Sequence, residues 1–122
     1  MKIIRTIVVD DEPAARARLV RMLKTDPDIE VVAECRNGAE ALDTIRAENI
    51  DLVYLDIQMP QVNGLELVSK FPPERVPYVV FVTAHDRFAL KAFDLNAVDY
   101  LLKPYDDERF FISLTRAKEL VE

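Results

Sequence analysis

Residues 3–13 read Ile-Ile-Arg-Thr-Ile-Val-Val-Asp-Asp-Glu-Pro, and this stretch decides the fold. The run Ile3–Val9 is rich in β-branched residues, which is typical of a strand buried on both faces of a parallel sheet. Pro13 suits the first position of a helix, and the acidic residues before it suit the positive end of the helix dipole. A buried strand that leads directly into a helix predicts the first part of a β-α-β unit.

Strand-like and helix-like segments alternate along the rest of the chain. Further strands are predicted at Ile29–Cys35, Leu52–Leu55, Tyr78–Val82 and Val98–Leu102. Helices are predicted from Pro13 to the turn at 26–28, after Asn37-Gly38, and at Leu65–Lys70, Arg87–Leu95 and Asp106–Val121. Part of the set Phe88, Phe93, Phe110 and Phe111 is expected in the core. The alternation requires right-handed crossovers, so it predicts an α/β fold: a doubly wound, five-stranded parallel sheet with helices on both faces.

Length and composition are those of one globular domain that covers residues 1–122. The chain is 50% hydrophobic and carries a net charge of −6. The negative charge argues against nucleic-acid binding by this domain itself, because such binding depends on clustered Lys and Arg. No segment approaches the roughly 20 apolar residues of a membrane helix. Charged residues also interrupt any signal-peptide core, so we expect no membrane association and a cytoplasmic location.

A small basic cluster and the single cysteine have structural interpretations. The cluster comprises Arg16, Arg18, Arg21 and Lys24, and it is expected to form a solvated helix face. Cys35 lies in an apolar run and is expected to be a small buried hydrophobe.

Four of the predicted strands end on polar residues. Asp10 and Asp11 follow the first strand, Asp56 the third, Thr83 the fourth and Lys103 the fifth. Open parallel sheets bind ligands beyond the carboxyl ends of their strands, so these side chains are expected to meet at one edge.

The three carboxylates indicate a hard divalent cation. Like charges this close need a compensating cation, and Mg²⁺ prefers oxygen ligands. Considered alone, Asp10 and Asp11 are better explained as caps of the helix at Pro13, and Thr83 as a local partner of the backbone. Considered together with Asp56 and Lys103, they favour a site that holds a cation and accepts a phosphoryl group.

These motifs resemble those of the receiver domains of two-component response regulators over nearly the whole chain. The motifs are Val-Val-Asp-Asp-Glu-Pro (8–13), Leu-Asp-Ile-Gln-Met-Pro (55–60) with Gly64 downstream, Val-Thr-Ala (82–84) and Asp-Tyr-Leu-Leu-Lys-Pro (99–104). The resemblance implies the flavodoxin-like strand order 2-1-3-4-5. It also implies a phosphorylation-controlled switch in a two-component phosphorelay, which catalyses only its own phosphorylation and dephosphorylation.

The resemblance assigns the metal-binding and phosphate-accepting groups. Asp56 would be the phosphoacceptor, supplied by a sensor histidine kinase. Asp11, Asp56 and the backbone carbonyl of Gln58 would bind Mg²⁺, or Mn²⁺ as a substitute, with Asp10 acting through water.

It also assigns the groups that hold phosphate and transmit its arrival. Lys103, Thr83 and the backbone N–H of Ala84 would hold the phosphoryl oxygens. Thr83 and Tyr100 would form the switch pair, with the ring of Tyr100 turning inward as the hydroxyl of Thr83 moves toward phosphate. From the residues alone, Tyr100 is better explained as a static core side chain with its hydroxyl satisfied at the rim. The bond between Lys103 and Pro104 would be a cis peptide.

Two positions depart from the commonest pattern of the family. Gln58 lies two residues after Asp56, and His85 lies two residues after Thr83. In this family both sites border the path of attacking water, so the resemblance predicts that these side chains shield the acyl phosphate.

The segment from His85 to Phe93 resembles receivers attached to LytTR-type DNA-binding domains, which suggests transcription regulation as the output. No output domain is expected in this chain itself. Phosphorylation would then remodel the fourth helix, fifth strand and fifth helix, and promote a homodimer through that face.

Three other classes of protein fit the sequence less well. A phosphatase-like enzyme with Asp56 as transient nucleophile usually has a second carboxylate where this chain has Gln58. An interaction module that never binds phosphate is expected to have lost the acidic pair or the lysine, and both are present. A flavin-binding protein of this strand order needs a hydroxyl- and glycine-rich phosphate loop, which Asp-Asp-Glu-Pro is not.

Overall fold

The computed structural model describes residues 2–95 and 97–121. The strands are β1 (Ile4–Val9), β2 (Ile29–Cys35), β3 (Leu52–Asp56), β4 (Tyr78–Thr83) and β5 (Asp99–Leu102). The helices are α1 (Pro13–Leu23), α2 (Gly38–Ala47), α3 (Gly64–Ser69), α4 (Ala89–Asp94) and α5 (Asp107–Val121). These bounds confirm the predicted alternation, with small shifts at the ends of elements.

The five strands form one parallel sheet in the order β2-β1-β3-β4-β5, which confirms the predicted order. The chain reverses its winding direction between β1 and β3, and such a switch point is where open α/β sheets bind ligands. Val9 pairs with Leu55, so the residues that follow them, Asp10 and Asp56, leave the sheet at the same level. Thr83 pairs with Leu102, which places Lys103 at the same edge.

The sheet is buried on both faces. Successive strand residues point to opposite faces, so neighbouring residues of β3 enter different cores. On one face Tyr54 stacks on Phe110 of α5, with ring centroids 5.5 Å apart. On the other face Leu55 and Phe81 pack with Leu67 of α3. Such burial on both faces explains why four of the six residues of β1 and four of the five residues of β3 are apolar.

The aromatic and cysteine predictions have mixed outcomes. Phe110 is buried, Phe88 is partly buried against the core, and Phe111 is exposed. The side chain of Phe93 lies outside the described part of the structure. Cys35 is buried, as predicted.

The predicted helix over Arg87–Leu95 is wrong in its first turn. A 3₁₀ turn occupies Asp86–Phe88, and α4 begins only at Ala89. In an α-helix the N–H of Ala89 would donate to the carbonyl of His85. That carbonyl instead accepts the hydroxyl of Tyr100, and the N–H of Ala89 donates to the carbonyl of Asp86. A contact from β5 thus occupies the carbonyl that would accept the first hydrogen bond of an α-helix here.

No helix in the described residues is both long enough and apolar enough to cross a bilayer.

Candidate functional site

Three carboxylates converge where β1 and β3 end. Asp10, Asp11 and Asp56 each offer an oxygen atom, and these oxygens all lie within 4.8 Å of one another. Asp10 is 0% exposed and Asp56 is 5% exposed, whereas Asp11 is exposed. The sequence predicted this convergence from the polar residues at the strand ends.

The backbone at the end of β1 fixes Asp10. Its N–H donates to the carbonyl of Cys35 on β2 at 3.0 Å. Its Oδ1 accepts the N–H of Glu12 at 2.9 Å. The N-cap of α1 is Glu12, whose own side chain makes no capping hydrogen bond. The alternative in which Asp10 and Asp11 are simply the caps of this helix is therefore wrong.

Lys103 supplies the positive charge of the site. Its Nζ lies 3.1 Å from Oδ2 of Asp10, 3.2 Å from Oε1 of Glu12 and 3.7 Å from Oδ2 of Asp56. One ammonium group thus faces several carboxylates. The local charge stays negative, and this favours a bound cation.

The electrostatics of Asp56 and Lys103 reflect this crowding. Burial, followed by the charge of Asp10, raises the pKa of Asp56 to about 7, although Lys103 acts in the opposite direction. Burial alone would lower the pKa of Lys103, but the charges of Asp56 and Asp10 outweigh it and raise that pKa. Asp56 is thus a carboxylate whose negative charge the fold does not fully compensate.

The donor set fits a hard divalent cation. Carboxylate oxygens are the ligands that Mg²⁺ takes in proteins, usually one or two of them with water and phosphate oxygens completing the shell. A divalent ion among these three groups would offset the repulsion that their proximity creates.

A close backbone approach supports the end of β3. The N–H of Gly64 donates to the carbonyl of Ile57 at 2.8 Å. A Cβ at residue 64 would lie 2.6 Å from the backbone oxygen of Asp56, closer than any real contact. Glycine is therefore required for α3 to begin against the strand that carries Asp56.

Gln58, Thr83 and Ala84 lie at or just beyond the carboxyl ends of β3 and β4. The backbone N–H of Gln58 donates to Oδ1 of Asp56 at 3.1 Å, while its side chain is exposed. Thr83 is 0% exposed at the end of β4, and Ala84 after it is exposed. The N–H of Lys103 donates to the carbonyl of Thr83 at 2.7 Å, and the Lys103–Pro104 bond is cis, as predicted.

Thr83 and Tyr100 are connected through a single residue. The N–H of His85 donates to Oγ1 of Thr83 at 3.3 Å, and the carbonyl of His85 accepts the hydroxyl of Tyr100. Tyr100 is partly buried against the core. The backbone of His85 therefore links the two predicted switch residues.

Comparison with known proteins identifies the family. Residues 6–115 match the response regulator receiver domain model. The chain is a response regulator receiver domain. Its sequence is 51% identical over 113 residues to an uncharacterized response regulatory protein of Yersinia pestis, covering 93% of this chain and 48% of that protein. It is 46% identical over 116 residues to the transcriptional regulatory protein BtsR of Escherichia coli, covering 95% and 48%. The receiver domain thus spans about half the length of these curated relatives.

Solved structures agree with this receiver fold. The response regulatory domain of protein mrkE from Klebsiella pneumoniae has a TM-score of 0.88 and 31% identity, covering 97% of this chain and 98% of that one. The response regulator protein TrrA from Thermotoga maritima, solved in complex with Mg²⁺-BeF, has a TM-score of 0.80 and 30% identity, covering 96% and 99%.

Sequence reasoning missed two side chains of this receiver domain. Glu12 contacts Lys103, and Arg16 donates from Nη1 to the carbonyl of Asp10 at 2.8 Å. The prediction that Arg16 lies on a solvated helix face is wrong, because its side chain is only 15% exposed. The available signal was its position one helical turn after Glu12, which places it above the end of β1.

Proposed function

We propose that this receiver domain accepts a phosphoryl group on Asp56 from a sensor histidine kinase, in a reaction that depends on Mg²⁺. The observation that supports it best is the position of Asp56: a 5% exposed carboxylate at a strand end, between two other carboxylates and the ammonium group of Lys103. A buried carboxylate whose charge is not fully compensated, and which lies at the end of a strand, is suited to act as a nucleophile.

In the proposed transfer, an Asp56 carboxylate oxygen forms a bond to phosphorus while the bond from phosphorus to the kinase's histidine nitrogen breaks. The product is an acyl phosphate on Asp56 and a free histidine on the kinase. Asp11, Asp56 and the backbone carbonyl of Gln58 would hold Mg²⁺ or Mn²⁺, with Asp10 acting through water, and the ion would neutralise charge on the phosphoryl oxygens.

Three groups of the chain would hold the transferred phosphoryl group. Lys103 is a flexible point charge, already 3.7 Å from Oδ2 of Asp56. The hydroxyl of Thr83 and the backbone N–H of Ala84 would donate to the remaining oxygens. Because His85 connects Thr83 to Tyr100, a movement of Thr83 toward phosphate would also release or shift Tyr100.

The output would be a changed surface on α4, β5 and α5. Exposed apolar residues on or beside this surface include Leu95, Leu102, Phe111 and Ile112. We propose that phosphorylation promotes a homodimer through this face, and that the longer protein regulates transcription through a LytTR-type DNA-binding domain. One similar protein, BtsR, is named a transcriptional regulatory protein, which supports this output.

Turnover of outside substrates is disfavoured. A phosphatase that uses an aspartate nucleophile needs an acid or base near the leaving group. The position two residues after Asp56 carries the neutral amide of Gln58. The domain would therefore catalyse only its own phosphorylation and dephosphorylation.

Amide NMR tests the proposal directly. Mg²⁺ and beryllofluoride added to the wild type should shift resonances around Asp56, Thr83 and Tyr100, whereas Asp56→Asn should show none of the beryllofluoride-dependent shifts. The matched control is Asp43→Asn, at an exposed position of α2, which should respond like the wild type. Equal responses of the wild type and Asp56→Asn would contradict the proposal.

A further inference from the structure

Arg16 differs from the other basic residues of α1 because it is directed toward the acidic site. Its side chain is only 15% exposed. Nη1 donates to the backbone carbonyl of Asp10 at 2.8 Å, and Nε lies 3.7 Å from Oε1 of Glu34 on β2. Arg21, on the same helix, is exposed. One guanidinium group therefore joins α1, the end of β1 and β2.

The Asp10 carbonyl belongs to the peptide group that also contains the N–H of Asp11. That group is planar, so whatever fixes the carbonyl also fixes where the Cα of Asp11 lies. The preceding peptide group is held by the hydrogen bond from the N–H of Asp10 to the carbonyl of Cys35 at 3.0 Å. The side chain of Asp11 is exposed, so its attachment to the site is this backbone.

We propose that Arg16 is a positioning residue for the cation site. By holding the carbonyl of Asp10, it fixes the peptide that carries Asp11 and keeps the Asp11 carboxylate near those of Asp10 and Asp56. This inference rests on the proposed function, because it assumes that these carboxylates bind Mg²⁺.

The positive charge of Arg16 and its proposed positioning role predict opposite effects of its loss on Mg²⁺ affinity. A positive side chain near a cation site repels the cation, so loss of charge alone would tighten Mg²⁺ binding. Loss of the hydrogen bond would free the peptide and weaken binding, as loss of groups that orient metal ligands commonly does by 10-fold or more. The sign of the change therefore separates the two roles.

The test is a Mg²⁺ titration of the whole domain, followed by amide NMR shifts, which report binding without any phosphorylation. Arg16→Met should raise the Kd for Mg²⁺ by roughly tenfold, with a shifted Asp11 amide resonance before Mg²⁺ is added. Arg16→Lys, which retains a donor, should recover part of the affinity. Arg21→Met removes the same charge from an exposed position of α1 and should leave the Kd within about twofold of the wild type.

Each outcome has a distinct meaning. An unchanged or lower Kd in a folded Arg16→Met domain would overturn the inference and leave the proposed function intact. If Arg16→Met fails to fold, Arg16→Gln takes its place, and an unchanged or lower Kd together with an unshifted Asp11 amide would overturn the inference instead. If the wild type itself does not bind Mg²⁺, the proposed function fails and the inference fails with it.

Discussion

At the scale of single residues, Asp56 carries its charge where burial and a neighbouring carboxylate oppose it. Its pKa is raised to about 7, first by burial and then by the charge of Asp10. Buried charges are retained at a cost in stability, and sites that keep them are commonly functional.

This cost predicts the effect of removing the charge. Without Mg²⁺ at neutral pH, Asp56→Asn should raise the free energy of unfolding by about 2 kcal/mol, because one of the crowded carboxylates becomes neutral. Thermal unfolding measures the change. Mg²⁺ should stabilise the wild type more than Asp56→Asn, so the difference should shrink when it is added. Asp43→Asn, which changes an exposed carboxylate, should alter neither the free energy of unfolding nor the stabilisation by Mg²⁺. Destabilisation by Asp56→Asn in the metal-free protein would contradict this account.

A second residue-scale prediction concerns the lifetime of the acyl phosphate. If the side chains of Gln58 and His85 shield the phosphate from water, Gln58→Ala and His85→Ala should each speed autodephosphorylation, by about threefold or more, a small change in barrier. Decay of the domain labelled with acetyl phosphate gives the rate. Lys91→Ala, on the exposed surface of α4, is the control. Unchanged rates in both variants would refute the shielding hypothesis.

The residues of the site were predictable to different extents. Asp10, Asp56, Thr83 and Lys103 were found because each is a polar residue that directly follows an apolar strand, a pattern with a clear geometric consequence. Arg16 was missed because its partner is a backbone carbonyl. Every residue has such a carbonyl, so no residue type in the sequence marks the contact.

At the scale of elements, the start of α3 against β3 depends on Gly64. In Gly64→Ala the new methyl group would meet the Asp56 backbone oxygen at 2.6 Å and Cα of Ile57 at 3.0 Å. Neither backbone atom can move alone, so the free energy of unfolding should fall by about 2–3 kcal/mol. Mg²⁺ binding should also weaken, because Asp56 shifts. Denaturant unfolding and the Mg²⁺ titration provide the measurements.

Gly38 offers a matched control at the start of α2. A Cβ there would meet Cδ1 of Leu67 at 3.2 Å, and that side-chain methyl group can give way. Gly38→Ala should therefore change stability by less than about 1 kcal/mol. Equal losses in the two variants would show that close approach to β3 is not the reason for glycine at residue 64.

The junction of β5 and α5 should make stability depend on pH. Burial alone would raise the pKa of Asp99, but hydrogen bonds from Arg109 at 2.7 Å and from the N–H of Tyr100, with the charge of Arg116, hold it below its usual 3.8. The folded state binds this proton more weakly than the unfolded state. The resulting stability is therefore fully present above the unfolded pKa and is lost as the pH falls through the lower folded value.

Arg109→Met tests this dependence. Arg109 is partly exposed, so solvent screening limits the loss to about 1 kcal/mol at pH 7. The difference from the wild type should shrink as the pH falls below the usual pKa of an aspartate. Urea unfolding at several pH values measures this difference in stability, with Arg21→Met as an exposed control. A difference in the free energy of unfolding that grows as the pH falls would contradict the predicted direction of the pH dependence.

The fourth helical segment shows a limit of predicting secondary structure from sequence. The pattern of Phe88, Ala92 and neighbouring residues predicted a continuous helix. In the structure a 3₁₀ turn occupies Asp86–Phe88, and the carbonyl of His85 accepts the hydroxyl of Tyr100. That contact joins residues far apart in the chain, and helical periodicity carries no information about it.

At the scale of the whole molecule, the parallel sheet and its strand order followed from different signals. Alternating strands and helices imply a parallel sheet through the handedness of the crossovers. The order β2-β1-β3-β4-β5 came only from the resemblance, because several orders satisfy the same alternation.

The exposed apolar side chains of α5 lead to a prediction about assembly. Ile112 on α5 is 44% exposed. With beryllofluoride and Mg²⁺ the wild-type domain should form a dimer. Ile112→Glu should weaken that dimer at least tenfold, because it would bury a charge in the interface. Light scattering during gel filtration measures the mass. Val76→Glu changes a residue that is 55% exposed just before β4, at the amino-terminal ends of the strands, and should dimerise normally. A wild-type domain that stays monomeric when activated would refute the dimer.

The backbone and the side chain of His85 have separate proposed roles, in transmitting the phosphorylation signal and in setting its duration. Thr83 and Tyr100 are joined by the N–H and the carbonyl of this residue, and not by its imidazole. Any amino acid with a free N–H could occupy position 85 and preserve the connection. Under the proposed shielding and switch roles, the side chain would set how long the acyl phosphate persists, whereas the backbone would carry its effect to Tyr100. Duration and transmission of the signal would then be free to evolve independently.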